Sequence, residues 1–201
     1  MNNSIHDYQD PKKEQEIFFT KMPTEKYEFK HHTLIVDSRS RDRSIFPNPN
    51  NYTIQFDNGD DGNVQEKLRN IVSIQLVDGH LPDFTSDTSN PYITLDIPEL
   101  YGTYLGNNNH LSNTFAVLHI ETKGTSFSRI KMQNPQTNYY KTPIAQLNKL
   151  TFQFKDYQGN FYDFGTDTTP PTDPDATKNH ALIFKIITRE RDFKILDPIL
   201  T

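Results

Sequence analysis

What most limits the folds open to this chain is a side-chain period of two that recurs along most of its length. Tyr52, Ile54 and Phe56 alternate with Thr53 and Gln55. Val72, Ile74 and Leu76 alternate with Ser73 and Gln75, and Ile93, Leu95 and Ile97 with Thr94 and Asp96. Leu150, Phe152 and Phe154 alternate with Thr151, Gln153 and Lys155, and Leu182, Phe184 and Ile186 lie opposite Ile183, Lys185 and Ile187. Alternate side chains of an extended segment share one face. Each run is therefore a strand with one oily side, the half-buried antiparallel pattern. Leu34–Val36, Phe115–Ile120 and Phe161–Phe164 complete eight candidate strands, with Ser128–Met132 a weaker ninth.

The connectors carry turn chemistry: "DNGDDGN" from Asp57, the hairpin "DYQGN" from Asp156, and "GTDTTPPTDPDATKN" before the last long strand. Helix is confined to two single-turn candidates, Val64–Asn70 and Thr142–Lys149, the second with Pro143 at its first helical position. Eight short strands joined by long crossing loops predict an all-β, antiparallel two-sheet β-sandwich, single and jelly-roll-like. The sandwich is expected over 31–190, preceded by an extended N-terminal arm, 1–30, and followed by a C-terminal tail, 191–201. The arm is polar apart from Ile17, Phe18 and Phe19, which are expected to touch another chain. Only 33% of the chain is apolar, which suits arms and loops around a modest core.

Several function classes lose ground at once. A net charge of -5 argues against bulk electrostatic binding of nucleic acid. Absence of cysteine removes disulfides and thiolate metal sites. No apolar run approaches the roughly 18 residues a membrane span needs, and the opening residues lack an apolar signal core, so a soluble protein made in the cytosol is expected. "GTSFS" from Gly124 lacks the final glycine of a nucleophile elbow. The seven histidines form neither H-x-H nor H-E-x-x-H, and His119, inside an apolar strand, reads as a core or face residue. "DNGDDGNVQEKL" has Gly59 and Leu68 where a calcium loop needs an acidic or amide ligand and a glutamate. No enzyme, metal or cofactor is expected.

"VDSRSRDRSIFPNPNNYTIQF", from Val36, is more informative. Read as the continuation of a strand along a sheet edge, it projects Arg39, Arg41 and Arg43 together as a row suited to something anionic. Asp37 and Asp42 interleave and halve the net charge, and arginine suits planar, bidentate partners. Carboxylates, within the fold or across a subunit contact, are therefore expected rather than nucleic acid. Tyr101, Tyr104, Tyr139 and Tyr140 lie in or beside Asn-rich loops, equipment for a protein interface or for sugar.

Three stretches together carry a family resemblance: "HTLIVDSRSRDRSIFPNPNNYTIQF", "LRNIVSIQLVDGHLPD" and "LNKLTFQFKDYQGNFYDF". Over about residues 31–165 the chain resembles capsid-associated structural proteins of nucleocytoplasmic large DNA viruses. That resemblance implies a penton or a minor (cement) capsid protein, located in the virion and assembled in the host cell cytoplasm. Its partners would be the major capsid protein and other capsid proteins, with a homo-oligomer, a pentamer in the penton case. A carbohydrate-binding sandwich on the virion surface, using the Tyr/Asn loops, is the other class the residues leave open.

Overall fold

The computed structural model describes residues 26–56, 67–82, 90, 92–100, 106–112, 114–122, 127–131, 135, 137–168 and 173–191. The chain divides into two units, Met1–Glu28 with Arg191–Thr201, and Phe29–Glu190. Of the first, only Lys26–Glu28 and Arg191 are described. The second is the sandwich.

Nine strands are present among the described residues: β1 Tyr27–Asp37, β2 Asn51–Gln55, β3 Leu68–Pro82, β4 Ile93–Asp96, β5 Ala116–Thr122, β6 Phe127–Lys131, β7 Thr137–Leu147, β8 Lys149–Lys155 and β9 Ala181–Arg191. Their pairing is nested. β4 pairs with β5, β3 with β6, β2 with β8, and β1 neighbours β9. The chain thus doubles back at β4–β5 into one long antiparallel ribbon. Successive ribbon pairs fall into alternate sheets, joined edge to edge where β9 meets β3 and β8 meets β4. One sheet reads β1-β9-β3-β6, the other β2-β8-β4-β5. This is the jelly-roll arrangement of two four-stranded sheets.

β5 belongs to both sheets. Ala116–Leu118 pair with β4, whereas His119–Thr122 pair with β6, so one strand closes that side of the sandwich. β7 is an addition to the eight-strand plan, lying beside the first half of β3.

The alternating apolar residues meet between the sheets. Tyr52, Phe152, Phe154 and Phe184 are wholly buried, with Tyr52 stacked on Phe152 at 5.2 Å and Phe152 reaching Phe184 across the sandwich at 6.1 Å. Each such side chain contributes about 1.5–3 kcal/mol of transfer free energy.

Three local expectations are corrected. Thr142–Leu147 lies in β7 rather than in a helix. Between the pairs Ile71↔Ile144 and Ser73↔Tyr139, β7 carries Tyr140–Pro143 opposite Val72 alone. Pro143 sits in that bulge, where no ladder hydrogen bond is required of it. Leu68–Asn70, placed in the other helix candidate, opens β3, and Asn70 takes a left-handed φ of 51° that asparagine tolerates. Phe161–Phe164 forms no strand. Phe161 makes a single bridge to Lys155, and the chain then leaves the sheet.

Candidate functional site

The arginine stretch does not continue β1. Asp37 ends the strand and caps a single 3-10 turn, Ser38–Ser40, its carboxylate accepting from the Arg39 amide at 3.0 Å. A turn abolishes the alternation, so the expectation of one row is corrected: the three guanidiniums separate. Arg39 stays exposed and grips Asp37, its Nε donating at 2.9 Å to either carboxylate oxygen. Partial burial opposes ionisation of Asp37, but the Arg39 hydrogen bonds and charge hold its pKa below the ordinary value.

Arg41 and Arg43 turn inward and are buried. Arg41 is a staple for backbone. It donates to the carbonyls of Phe46 (2.7 Å), Ser38 (2.7 Å) and Pro47 (2.9 Å), and to the side-chain oxygen of Asn179. Burial lowers its pKa, with the charge of Asp167 pulling the other way. Arg43 donates to Asp167 at 3.1 Å, a pair almost without solvent contact. Asp167 also accepts from the Asn179 amide (2.8 Å) and from the Asp175 backbone N–H (3.2 Å). Arg39 and Arg43 thus hold carboxylates of the same fold, and Arg41 holds carbonyls.

His180 completes this knot, and nothing in the sequence singled it out. Its Nε2 lies 2.9 Å from the Tyr52 hydroxyl, and its ring packs against Phe154 at 4.6 Å. Its backbone N–H donates to Ser38 Oγ at 2.8 Å, while its carbonyl accepts from Ser38 N at 2.9 Å. Burial, then the Arg41 charge, push the imidazole pKa down to about 3. Burial pushes Tyr52 up. No local signal could have found His180, because its hydrogen-bond partners Tyr52 and Ser38 lie 128 and 142 residues away. Chemically the knot is a clamp: it fixes the loop after β1 against the loop before β9.

Where the clamp meets the surface, a cleft of about 310 Å³ is lined by Asp37, Arg39, His80, Phe127 and Ala181, among others. These residues lie at one end of the outer face of the β1-β9-β3-β6 sheet. With Leu182, Phe184 and Ile186 buried, Ile183, Lys185 and Ile187 point outward. Register carries that side across the sheet: Ile187 and Tyr139 flank Ser73, and Ala181 and Arg129 flank His80. On β1, Leu34 and Val36 are buried, so Phe29 and Ile35 share the outward side. Phe29, Ile35 and Tyr139, at 56%, 66% and 75% exposure, present large apolar side chains to solvent on this face, among the polar outward residues Thr33, His80, Arg129 and Lys185.

The other outer face is different. Every position of β2, β4 and β8 turned away from the core is polar: Asn51, Thr53, Gln55, Thr94, Asp96, Lys149, Thr151, Gln153 and Lys155, of which Thr94 and Asp96 are covered. Many of them bond to one another. Thr53 meets Thr151 at 3.0 Å, Glu99 accepts from the Thr151 amide and hydroxyl at 2.8 and 2.9 Å, and Lys155 meets Asp96 at 2.7 Å. Tyr157 and Phe161 are exposed only at the hairpin beyond β8.

Of the tyrosines, Tyr139 stands on the apolar face. Tyr140 packs partly against the core, and burial raises its hydroxyl pKa to about 12. Tyr101, Tyr104, Ile17, Phe18 and Phe19 lie outside the described residues. His119 is an exposed face residue, its ring 6.4 Å from Tyr92. Among the described residues no group of three or more His, Asp or Glu side chains is arranged to hold a metal ion, and no helix is long and apolar enough to cross a membrane. Neither a family model nor a curated protein sequence matches the chain.

Proposed function

We propose that this protein is a structural subunit that works by protein–protein assembly, as a penton or minor (cement) protein of a large icosahedral DNA-virus capsid. One observation carries the assembly reading: the contrast between the two outer faces of the sandwich. An antiparallel sandwich in water normally alternates apolar-in and polar-out on both sheets. Here β2 and β8 obey that rule, with Thr94 and Asp96 of β4 polar but covered and Val117 of β5 the apolar outward residue, while Phe29, Ile35, Ile183, Ile187 and Tyr139 break it on the opposite sheet. Exposed aliphatic and aromatic side chains interspersed with charged ones are the composition of a protein interface. The clamp of Arg41, Arg43 and His180 is compatible with the same role, since its buried hydrogen bonds make this end of the sandwich rigid. The capsid assignment itself draws on the family resemblance of residues 31–165.

The test is lysine cross-linking and mass spectrometry of gradient-purified particles. The chain is expected in the particles, with Lys185 on the apolar sheet linked to a capsid chain. Absence from the particles, or links made only through Lys149 and Lys155 of the polar face, would refute the reading. Retention of the isolated protein on a glycan array, lost on changing Tyr139, would replace it with the carbohydrate-binding one.

A further inference from the structure

Three strands have a neighbouring strand on one side only among the described residues: β1 beside β9, β7 beside β3, and β2 beside β8. An open edge is a template for another strand, and proteins guard such edges with charge, proline or a bulge. β1 carries Glu28 and Lys30, and β7 carries Lys141, Pro143 and a bulge. β2 has none of these, and its register against β8 runs unbroken from Asn51 to Gln55. The direction of its backbone groups is fixed. Phe56 N–H donates to the Asn148 carbonyl, and Phe154 N–H to the Asn50 carbonyl, both at 2.8 Å. Hydrogen-bonded pairs recur at every second residue of an antiparallel ladder, so Tyr52 and Ile54 turn their N–H and C=O towards β8. Asn51, Thr53 and Gln55 turn theirs the other way, to the open edge.

The order of residues names the occupant. Asn51-Tyr52-Thr53-Ile54-Gln55 has the same chemistry in both directions: amide, large apolar, threonine, large apolar, amide. Antiparallel pairing reverses one strand against the other, so a second copy of β2 matches the first at every position. We infer that two copies of this chain join β2 to β2, antiparallel about a two-fold axis through Thr53, and so continue the β2-β8-β4-β5 sheet from one copy into the other. Thr53 faces its counterpart, Asn51 faces Gln55 of the partner subunit, and Tyr52 faces Ile54 of the partner subunit. Cross-strand threonine pairs are favourable, and no like charges stand directly opposite. The contact is isologous, the same patch on both copies. Five-residue strands bury little beside the roughly 1,200–2,000 Å² of a stable interface, so the pair is weak in dilution and strengthened where copies are held close. This contact goes beyond the assembly reading, which concerns the opposite sheet.

The chain has no cysteine, so single introduced thiols report the contact without background. Thr53→Cys, Asn51→Cys, Gln55→Cys and a control at the exposed hairpin, Gln158→Cys, are oxidised in the full chain at one concentration and followed on non-reducing gels. Opposed residues of a hydrogen-bonded pair stand about 5.5 Å apart at Cα, within disulfide range. Thr53→Cys should link at least about tenfold faster than Gln158→Cys, because thiols held together meet at roughly millimolar effective concentration. Asn51→Cys and Gln55→Cys should each link slowly alone and quickly when mixed. Should the thermal melt of reduced Thr53→Cys show loss of the fold, the Asn51→Cys and Gln55→Cys mixture decides by itself. Thr53→Cys no faster than the control, or Asn51→Cys as fast alone as in the mixture, would overturn the inference. The particle cross-linking result is separate, because copies pair through β2 whether or not the chain enters a capsid.

Discussion

Replacing Arg41 by lysine keeps the charge and removes only the planar fork, which makes it the sharpest probe of how the clamp works. The guanidinium donates to four acceptors, the carbonyls of Ser38, Phe46 and Pro47 and the Asn179 side chain. An ammonium at the end of a lysine is a single point with three protons. It cannot reach acceptors arranged around both edges of a guanidinium plane, so about two of the four are left without their donor. Hydrogen bonds to a charged group contribute about 1.5–3 kcal/mol each, and an orphaned buried acceptor loses its solvation as well. The expected loss is about 3–5 kcal/mol, a large share of the roughly 5–15 kcal/mol that holds a domain folded. Arg39→Lys is the matched control, because its pair with Asp37 is exposed, and it should cost about 0–1 kcal/mol. Urea unfolding followed by fluorescence measures both, with the midpoint falling and the slope unchanged for Arg41→Lys. If the two variants lose equal stability, or Arg41→Lys loses less than about 0.5 kcal/mol, charge rather than fork geometry holds the loop.

Two further outcomes follow from the same geometry. The His180 pKa is depressed when folded, so its contribution to stability is complete above the unfolded value near 6.5 and is lost as pH falls through about 3. Burial and the Arg41 charge oppose the proton, and the Asp37 charge offsets them only in part. Stability should fall by up to about 1.4 kcal/mol per pH unit between 6 and 4.5, a slope that urea titrations should show and that His180→Gln should flatten; an unaltered slope in the variant would assign it to other groups. Gly159 has a φ of 90°, and a methyl group built on it would stand 2.3 Å from the His110 ring. Gly159→Ala should therefore lower the thermal midpoint, by about 2–4 °C for each kcal/mol at this chain length, whereas an unchanged midpoint would mean that the 106–112 loop yields freely.

The sequence alone determined the class of fold. Leu150, Phe152 and Phe154, or Leu182, Phe184 and Ile186, have one side that must leave water, and a period of two admits only a strand. The turn at Asp156–Asn160 was equally legible, because Gly159 and the aspartate–amide pattern act within five residues. Local rules fail where the deciding partner is distant. Thr142–Pro143 resembles a helix start until Ile71 and Ser73 of β3 are laid beside it. Arg39, Arg41 and Arg43 resemble a row until Asn179 and Asp167, more than a hundred residues on, draw two of them into the interior. Nor does alternation say which of two apolar sides a strand buries when both are apolar, as in β9, or that Phe29, Ile35, Ile187 and Tyr139 from three strands come to share one surface. Burial is a property of the assembled sheets. A period of two assigns each side chain to one of two faces, and only the nested pairing of β1 with β9 and β3 with β6 decides which of those faces meets the other sheet and which is left in water.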